Sequence, residues 1–523
     1  MQNDALRRAW PGLLLAGILL LSLSLRVWGS GFGLPAYTRY HPDEHALVER
    51  AAKILWTGDW NLGRFNYPPA YAYLQTAAYA AYFLWEAAKG EWDQIMPFTL
   101  PQYYHVGRLL TALMGTVTVL IVYLVGREMK GRRVGLLGAA LLGGCYLHVI
   151  HSHYATFDVM LGLWVTLTLL FSERIRRRQG AGWYLLAGLS AGLAGATKYN
   201  GVVAVVMPLT AHVLATPWGE WGWLNRRLAL MLGAFLLGFF GGNPFALGNP
   251  PDFLNGLAVV LHHYGTEQPG FEGTGNWWWY AHVFMTSADV LWVATGLAGL
   301  AAWLWREWRQ AVLLVCFPVT YFVLLSGFVV RFERNMVPLL PFLAVGGGWL
   351  LSTGADWLAG RLRRGGRSSN GLAALGAVLV LSLPLIAGLA FDAAISQRDQ
   401  REVAGQWVEA NIEEGSKIAI EHYSIPFDHT EYEVKDVIRI SDHDLAWYQQ
   451  EGYDVLIISD GVWHLLRRQP EAYGDKIAVY DELVENSELL AEFGAQPSAI
   501  VVAGYPTVGI YHFAPVRIYR LPR

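Results

Sequence analysis

Long apolar runs follow one another along most of the chain and are separated by short polar segments. A helix needs roughly 20 apolar residues to cross the hydrocarbon core of a bilayer, and shorter runs suffice where the surroundings are thin or polar. The pattern predicts about eleven membrane-spanning helices, at residues 10–28, 104–126, 134–150, 158–172, 182–197, 201–215, 228–243, 288–305, 311–328, 335–353 and 371–391. The first run follows Arg7 and Arg8 without a small-residue cleavage site, which is typical of a retained signal anchor with a cytoplasmic N-terminus.

Basic residues concentrate in alternate segments between the predicted spans. These segments are "REMKGRR", "ERIRRRQ", "NRR", "WREWRQ" and "GRLRRGGR". Eleven spans place all five on the same side as Arg7 and Arg8, as the positive-inside rule requires. The apolar stretch 68–87 is therefore predicted to lie in the outer interface as a juxtamembrane helix, because one more span would move every later basic segment outside. The first outer loop then covers residues 29–103.

The composition changes abruptly after Phe391. "REVAGQWVEANIEEGSKIAIE" predicts a helix, a glycine turn and a strand, "YDVLIIS" predicts a strand followed by a helix, and "VRIYRL" predicts a last strand. Residues 392–523 are thus predicted to form a soluble α/β domain, beside a transmembrane domain at 1–391. An odd number of spans places the soluble domain outside.

The overall composition supports a polytopic membrane protein. The chain has 523 residues, of which 54% are hydrophobic and 15% charged, too apolar for a soluble globule of this size. Cys145 and Cys316 lie inside apolar runs, so no disulfide framework is expected. The chain has no GxGxxG after a strand, no Walker loop and no nucleophile elbow, so nucleotide-dependent and serine-hydrolase chemistry lack support. No nucleic-acid partner is predicted.

Two adjacent carboxylates, Asp43 and Glu44, follow the first predicted span in "RYHPDEHALVERAAKILWTGDW". Ionisable groups at this depth are functional candidates. Neighbouring helix positions point about 100° apart, so one carboxylate is expected to face a reaction site while the other orients a neighbour. The alternative is an ordinary helix start, because proline at the first position and acids in the first turn favour one.

Further ionisable residues stand at the predicted outer ends of later spans. Asp158 follows "HSHYATF" and is either functional or a helix N-cap. Lys198, in "GLAGATKYNGVV", either binds an anion or extends toward water. Arg331 and Arg334 form a second cationic cluster, with Glu333 as an ion-pair partner. Together these groups suit a reaction in which a carboxylate deprotonates a hydroxyl while cations hold a phosphate leaving group.

Histidines raise the possibility of a divalent metal. The predicted outer loops contain His41, Asp43, His45, His151, His153, His262 and His263. Their spacing matches no standard zinc pattern. The favoured prediction is therefore that no metal cofactor is needed, with a divalent metal as the alternative.

Four motifs, in order within residues 10–355, resemble the GT-C membrane glycosyltransferases of the branch that holds protein O-mannosyltransferases and lipid A aminoarabinose transferases. "HPDEHALVERAAKILWTGDWNLGRFNYPP" is similar to the first outer loop of that branch, and "YATFDVMLGLW" to its second acidic motif. "GLAGATKYNGVVAVVMP" resembles its lysine motif, and "RNMVPLLP" its late arginine and double-proline helix. The chain departs from the pattern at Tyr67, where relatives acting on lipid A carry lysine, and at Asn335, where an aromatic residue is usual.

The resemblance implies a GT-C fold and an inverting enzyme in a bacterial plasma membrane. Such an enzyme moves a sugar from a polyprenyl-phosphate donor to an acceptor hydroxyl at the outer face, and mostly works without a catalytic metal. The acceptor class stays open between glycolipid, polysaccharide and protein. The implied base is Asp43, with Glu44 beside it and Asp158 as a helper that orients acceptor or base. The candidate donor contacts are Lys198, Arg334, Arg331, Tyr67, His153 and His262.

A transporter or flippase for an amphipathic or lipid-linked solute is the competing hypothesis. Polar residues at the ends of spans also suit transport. Transport sites usually lie near the membrane midplane, between broken helices of repeated halves. Here the ionisable residues cluster at one predicted face and no repeat is visible, so the enzyme is favoured.

Overall fold

The computed structural model describes residues 2–35, 41–92, 101–216, 224–266, 276–362, 366–422, 424–425, 431–467, 470–494 and 499–522. The α-helices in these parts are α1 Gln2–Val27, α2 Pro42–Thr57, α3 Ala70–Lys89, α4 Pro101–Lys130, α5 Arg132–Gly143, α6 Tyr146–His151, α7 Asp158–Arg178, α8 Ala181–Thr197, α9 Val206–Ala215, α10 Arg226–Gly241, α11 Phe245–Gly248, α12 Pro250–Gly265, α13 Asn276–Thr286, α14 Val290–Arg306, α15 Trp308–Ser326, α16 Leu340–Arg361, α17 Gly366–Ile395, α18 Gln400–Asn411, α19 Leu445–Gln450, α20 Asp460–Arg467, α21 Pro470–Glu485, α22 Ala499–Val502 and α23 Pro506–His512. Shorter 3₁₀ helices are Tyr199–Val205, Glu333–Leu339 and Ile440–Asp442, and the strands are β1 Lys417–Glu421, β2 Glu433–Val437, β3 Val455–Ser459, β4 Glu488–Phe493 and β5 Val516–Arg520. Parts of the predicted outer loop, residues 36–40 and 93–100, lie outside the described residues.

The apolar runs of the sequence fall on helices, and the prediction of a mostly helical membrane protein is confirmed. In the described part of the chain, five helical segments are long and apolar enough to cross a bilayer: Trp10–Val27, Pro101–Lys130, Trp308–Ser326, Glu333–Arg361 and Ser368–Asn411. The pair Asn276–Thr286 and Val290–Arg306 meets the same test only as one broken segment, bent by 120°. The count of eleven spans stays a prediction, because the helices at the remaining runs do not meet this test of length and apolarity.

Two predicted spans are interrupted in the structure. Run 134–150 divides into α5 and α6, because the backbone leaves the helix at Gly144 and Cys145. Run 201–215 begins as the 3₁₀ helix Tyr199–Val205 before α9 continues it. Short 3₁₀ segments next to longer helices are common at functional sites, and this one follows Lys198 directly.

Small residues allow close packing of α8 against α10. A Cβ at Gly192 would lie 2.1 Å from the Phe235 carbonyl oxygen, and one at Gly238 would lie 2.4 Å from that of Leu189. Larger side chains at these positions would separate the two helices. Close approach through small residues is the usual way in which membrane helices associate.

The long helices place basic residues at the opposite end of the bundle from the candidate acidic residues. Helix α7 begins at Asp158 and ends at Arg178, and α4 carries Arg108 near its start and Lys130 at its end. Ion pairs cross-link this basic end: Lys130 with Glu307, Arg133 with Asp356, and Arg174 with Glu128. The basic segments at these helix ends therefore share one face, as the charge pattern predicts.

The C-terminal region contains an α/β fold, which confirms the predicted class of this domain. In the described residues its sheet has the strand order β2-β1-β3-β5-β4. Strands β1, β2 and β3 are parallel, whereas β5 is antiparallel to β3 and β4. Strand β3 is buried along its whole length, as expected for a central strand covered on both faces. Helix α17 reaches Ile395, slightly beyond the predicted domain boundary at residue 391.

Candidate active site

Helix α2 begins at the acidic pair. His41 is its N-cap, and the His41 Nδ1 atom accepts a hydrogen bond of 3.1 Å from the backbone N–H of Asp43. The helix ends at Gly58, whose φ of 71° is unfavourable for residues with a side chain. Pro42 and the acids do begin a helix, as the alternative interpretation proposed. The two carboxylates nevertheless have partners far along the chain.

Asp43 lies between a cation and a phenol. The Arg334 guanidinium contacts Asp43 Oδ2 at 2.9 Å, and the Tyr67 hydroxyl donates to Asp43 Oδ1 at 2.9 Å. Burial alone would raise the pKa of Asp43, but Arg334, with smaller contributions from His41 and Tyr67, lowers it to about 2. Burial, reinforced by Arg334, lowers the pKa of His41 to about 3. At neutral pH the site therefore holds an aspartate carboxylate and an uncharged imidazole.

Glu44 points away from Asp43 into the protein. Its two carboxylate oxygens accept hydrogen bonds of 2.8 Å from Arg108, and both side chains are fully buried. The backbone N–H of Ala155 donates to Glu44 as well, at 2.9 Å. The other donors of Arg108 reach the carbonyl oxygens of Ser30 and Phe32. Glu44 thus anchors α2 to α4 and to the segment before α7.

Lys198 stands at the junction of α8 and the 3₁₀ helix Tyr199–Val205. Its Nζ donates to Asp158 Oδ1 at 2.8 Å and to Asn335 Oδ1 at 3.0 Å. Asp158 is the first residue of α7, and the N-cap residue is Phe157. Lys198 is buried, so it does not extend toward water. The structure shows a buried Lys198–Asp158 ion pair, which was not predicted, in place of the helix cap and the extended lysine. The functional roles of both residues stay predictions.

A cavity of about 650 Å³ is lined by Asp43, Lys198 and Arg334, whereas the predicted catalytic residues Glu44 and Asp158 are not among its lining residues. Asp43, Lys198 and Arg334 contribute the charged part of its wall, and Tyr67 lies between them. Aliphatic and aromatic side chains form much of the remainder: Pro68, Phe157, Val202, Leu257, Val259, Val260, Leu261, Leu324, Phe328 and Phe332. The cavity is therefore charged near Asp43 and apolar elsewhere, which is the usual composition of a site for an amphipathic ligand.

Known proteins share the fold of this chain. Residues 104–242 match the family model described as dolichyl-phosphate-mannose-protein mannosyltransferase. The structure of ArnT from Cupriavidus metallidurans bound to undecaprenyl phosphate is similar, at a TM-score of 0.53 and 15% identity, covering 97% of this chain and 98% of that one. Archaeal oligosaccharyltransferase AglB from Archaeoglobus fulgidus, in complex with an inhibitory peptide and a dolichol-phosphate, matches at a TM-score of 0.55 and 13% identity, over 97% of this chain and 78% of that one. No curated protein sequence matches significantly.

The chain has the GT-C fold, which it shares with ArnT and AglB. The predicted resemblance is thereby confirmed at the level of the fold. The family model covers residues 104–242 only. The donor, the acceptor and the roles of individual residues in this GT-C chain remain predictions.

Three of the predicted donor contacts of the GT-C chain lie away from the residues that line the cavity. Arg331 donates to Asn276 Oδ1 at 2.7 Å. His153 is fully buried, with its ring nitrogens near the carbonyl oxygens of Val149 and Trp28. His262 is exposed, whereas the next residue, His263, lines the cavity.

The histidines do not form an evident metal site. No group of three or more histidine, cysteine or acidic residues is placed to hold a metal ion in the described part of the chain. The Nδ1 atom of His41 caps α2, and the Arg334 guanidinium lies 3.4 Å from its Nε2 atom. The choice between metal-free and metal-assisted chemistry stays a prediction.

Sequence reasoning missed several residues that shape the GT-C site. Arg108 was not singled out, although an arginine inside an apolar run is a signal in itself. Asn335 was noted only as a departure, yet its side chain links Lys198 to the Tyr280 hydroxyl. Asn66 and Asn200 line the cavity from within the quoted motifs, and His263 lines it although it was considered only as a metal ligand. Tyr264 lines it outside any quoted motif.

Proposed function

We propose that this GT-C chain transfers a sugar from a polyprenyl-phosphate donor to an acceptor hydroxyl, with inversion at the anomeric carbon. The observation that carries the proposal is the convergence of Asp43, Lys198 and Arg334 on a cavity with apolar walls. Asp43 takes the proton of the acceptor hydroxyl, whose oxygen attacks the anomeric carbon. The bond from that carbon to the phosphate oxygen breaks, and its electron pair leaves with the polyprenyl phosphate.

The apolar wall suits the lipid part of such a donor. A polyprenyl chain gains about 0.8 kcal/mol for each CH₂ group that stays in an apolar medium, so the active site must reach the lipid in the bilayer. Leu257, Val260 and Leu261 of α12 line the cavity together with Leu324 of α15 and Phe328, which follows α15. This surface would hold the first isoprene units while the phosphate lies at the charged end.

The two cations suit the phosphate. Lys198 and Arg334 would stabilise the negative charge that develops as the phosphate leaves, a role that a metal ion fills in many other transferases. Arg334 also controls the base. In the structure it pairs with Asp43, and a carboxylate with a pKa of about 2 is a weak base. A donor phosphate that draws Arg334 toward itself would raise the basicity of Asp43 when the donor is present.

The structural relatives support this class of donor. The ArnT structure contains undecaprenyl phosphate and the AglB structure contains a dolichol-phosphate. These are related polyprenyl phosphates, and both proteins share the fold of this chain. We infer a bacterial plasma membrane location with the cavity and the soluble domain at the outer face, and chemistry without a catalytic metal. A transporter has less support, because the charged groups meet in one cavity lined by a buried carboxylate.

The proposal is tested by the release of free polyprenyl phosphate from a panel of polyprenyl-phosphate sugars in nanodiscs. We expect one donor to be consumed by the wild-type chain and by Asp59→Asn, an exposed aspartate just after α2. Asp43→Asn should release none. If no donor in the panel is consumed, or if Asp43→Asn and Asp59→Asn behave alike, the proposed function is wrong and a transport assay takes priority.

A further inference from the structure

The C-terminal segment that carries α22 and α23 is inserted into the core of the membrane domain. Tyr505 is fully buried, and its hydroxyl donates to Asp289 Oδ2 at 2.7 Å. The backbone N–H of Ala288 donates to the Ala503 carbonyl at 2.9 Å. Val501, Tyr505 and Val508 belong to the same hydrophobic cluster as the membrane helices. The soluble domain is thus joined to the bundle by a buried plug, residues 499–513.

His512, near the end of this plug, contacts Tyr154, which packs against His41 at the start of α2. Its Nε2 atom lies 2.6 Å from the Tyr154 hydroxyl, and the two rings stack at an angle of 18°. The Tyr154 ring lies 4.8 Å from the ring of His41, measured between centroids. His41 in turn accepts the backbone N–H of Asp43. His512, Tyr154, His41 and Asp43 therefore contact one another in succession and connect the plug with the first turn of α2.

A second line of contacts reaches the same turn. The edge of the His512 ring packs on Phe32, with ring centroids 4.8 Å apart. The Arg108 guanidinium lies over the Phe32 ring, 3.6 Å from its centroid. Arg108 holds Glu44 through two hydrogen bonds. Both lines start at His512 and end on the residues that begin α2.

We propose that His512 is a positioning residue, through which the C-terminal domain fixes the first turn of α2 and the orientation of Asp43. The catalytic consequence rests on the function proposed above. The structural consequence does not, since it concerns only the order of α2. The C-terminal domain is then part of the active-site architecture, in addition to any role in binding an acceptor.

The test compares four variants with the wild-type chain. His512→Ala removes both lines of contact, Tyr154→Phe removes only the hydrogen bond, and His512→Gln keeps a polar group near the position of Nε2. Tyr505→Phe is the matched control, because it removes a buried hydrogen bond of the same plug without touching either line. A displacement of about 1 Å at a catalytic group can lower turnover about a hundredfold. We therefore expect His512→Ala to lower kcat about ten- to a hundredfold at an unchanged donor KM.

The same variants are compared by amide hydrogen exchange, which requires no turnover. We expect residues 43–50 of α2 to exchange faster in His512→Ala than in the wild type, and at an intermediate rate in His512→Gln. In Tyr505→Phe these residues should exchange as in the wild type, and only the melting temperature should fall. The inference is overturned if α2 exchanges as in the wild type, or if Tyr505→Phe affects kcat and α2 as strongly as His512→Ala. If the wild-type chain consumes no donor, the proposed function fails, and the exchange data alone decide whether His512 orders α2.

Discussion

Arg334 and Asp43, separated by most of the membrane domain in sequence, form an ion pair of 2.9 Å in the wall of the cavity. The pair keeps Asp43 ionised and weakly basic in the absence of ligand. A phosphate that competes for the guanidinium would release the carboxylate at the moment when a base is required. In the proposed function, binding of the donor and activation of the base would therefore be coupled through Arg334.

The ion pair predicts how stability depends on pH. The folded-state pKa of Asp43, about 2, lies below its ordinary value of 3.8, so ionisation of Asp43 stabilises the folded state above about pH 4. This contribution, about 2 kcal/mol, is lost as the pH falls from 4 toward 2. Unfolding of wild-type protein and Asp43→Asn, followed in detergent, should differ by a constant amount from pH 8 to pH 5. The difference should shrink below pH 4. A difference that stays constant down to pH 2 would contradict the pairing.

Lys198 and Asp158 are predicted to act as a unit. Lys198→Ala should raise the donor KM about ten- to a hundredfold, the effect of one charge-assisted hydrogen bond of about 1.5–3 kcal/mol. Lys198→Arg should retain more of the affinity. Asp158→Asn leaves a buried ammonium without its carboxylate, and we expect a loss of about 3–5 kcal/mol of unfolding free energy. The double variant Asp158→Asn with Lys198→Ala should be more stable than Asp158→Asn alone; strictly additive losses would show that the two side chains do not depend on each other.

Arg108 and Glu44 are predicted to support the fold more than the chemistry. Arg108→Met leaves Glu44 buried without its partner, so the unfolding free energy should fall by about 3–5 kcal/mol. Adding Glu44→Gln should recover part of this loss, because the remaining amide is uncharged. Chemical unfolding of the wild-type chain, Arg108→Met and the double variant in detergent measures both effects. No recovery in the double variant would mean that Arg108 acts mainly through Ser30 and Phe32.

The apolar wall predicts a dependence on the lipid chain. Val260 of α12 lines the cavity, whereas Leu254 of the same helix is exposed and does not. Val260→Trp should displace two or more CH₂ groups of the donor, which corresponds to about a tenfold rise in KM at about 0.8 kcal/mol for each group. A donor whose phosphate carries no isoprene unit should be affected less, and Leu254→Trp should change neither value. Equal effects on long and short donors would place the lipid elsewhere.

The sequence allowed the fold class and the main charged residues of the cavity to be predicted, because membrane helices have a strong apolar signal and the motifs carry the family pattern. It did not allow the pairing of those residues to be predicted. The Asp43 contact with Arg334 and the Lys198 contact with Asp158 depend on how distant helices pack. His262 was chosen where His263 lines the cavity, since a step of one residue turns a helical side chain by about 100° and the rotation of α12 is set by tertiary contacts.

Helix breaks limited the prediction in another way. Gly143 and Gly144 mark the end of α5, and paired glycines are a recognised signal of a break. The insertion of residues 499–513 into the bundle had no comparable signal. Its short helices are apolar enough for any buried position, and only the folded chain shows that Tyr505 and His512 pack against membrane helices.

The neighbouring carboxylates Asp43 and Glu44 provide the most direct test of the central claim, that Asp43 is the base and Glu44 its anchor. The measurement is the single-turnover rate of polyprenyl-phosphate release by Asp43→Asn and Glu44→Gln, each normalised to the fraction of folded protein. We predict that Asp43→Asn folds, with the loss of about 2 kcal/mol of unfolding free energy that follows from its pKa shift. Its turnover should fall by about a thousandfold or more, within the range that general acid–base catalysis contributes. Glu44→Gln should be less stable but should lower turnover by no more than about a hundredfold per folded molecule, because a displaced α2 costs less than a missing base. Equal losses in the two variants, or turnover by Asp43→Asn, would contradict the account.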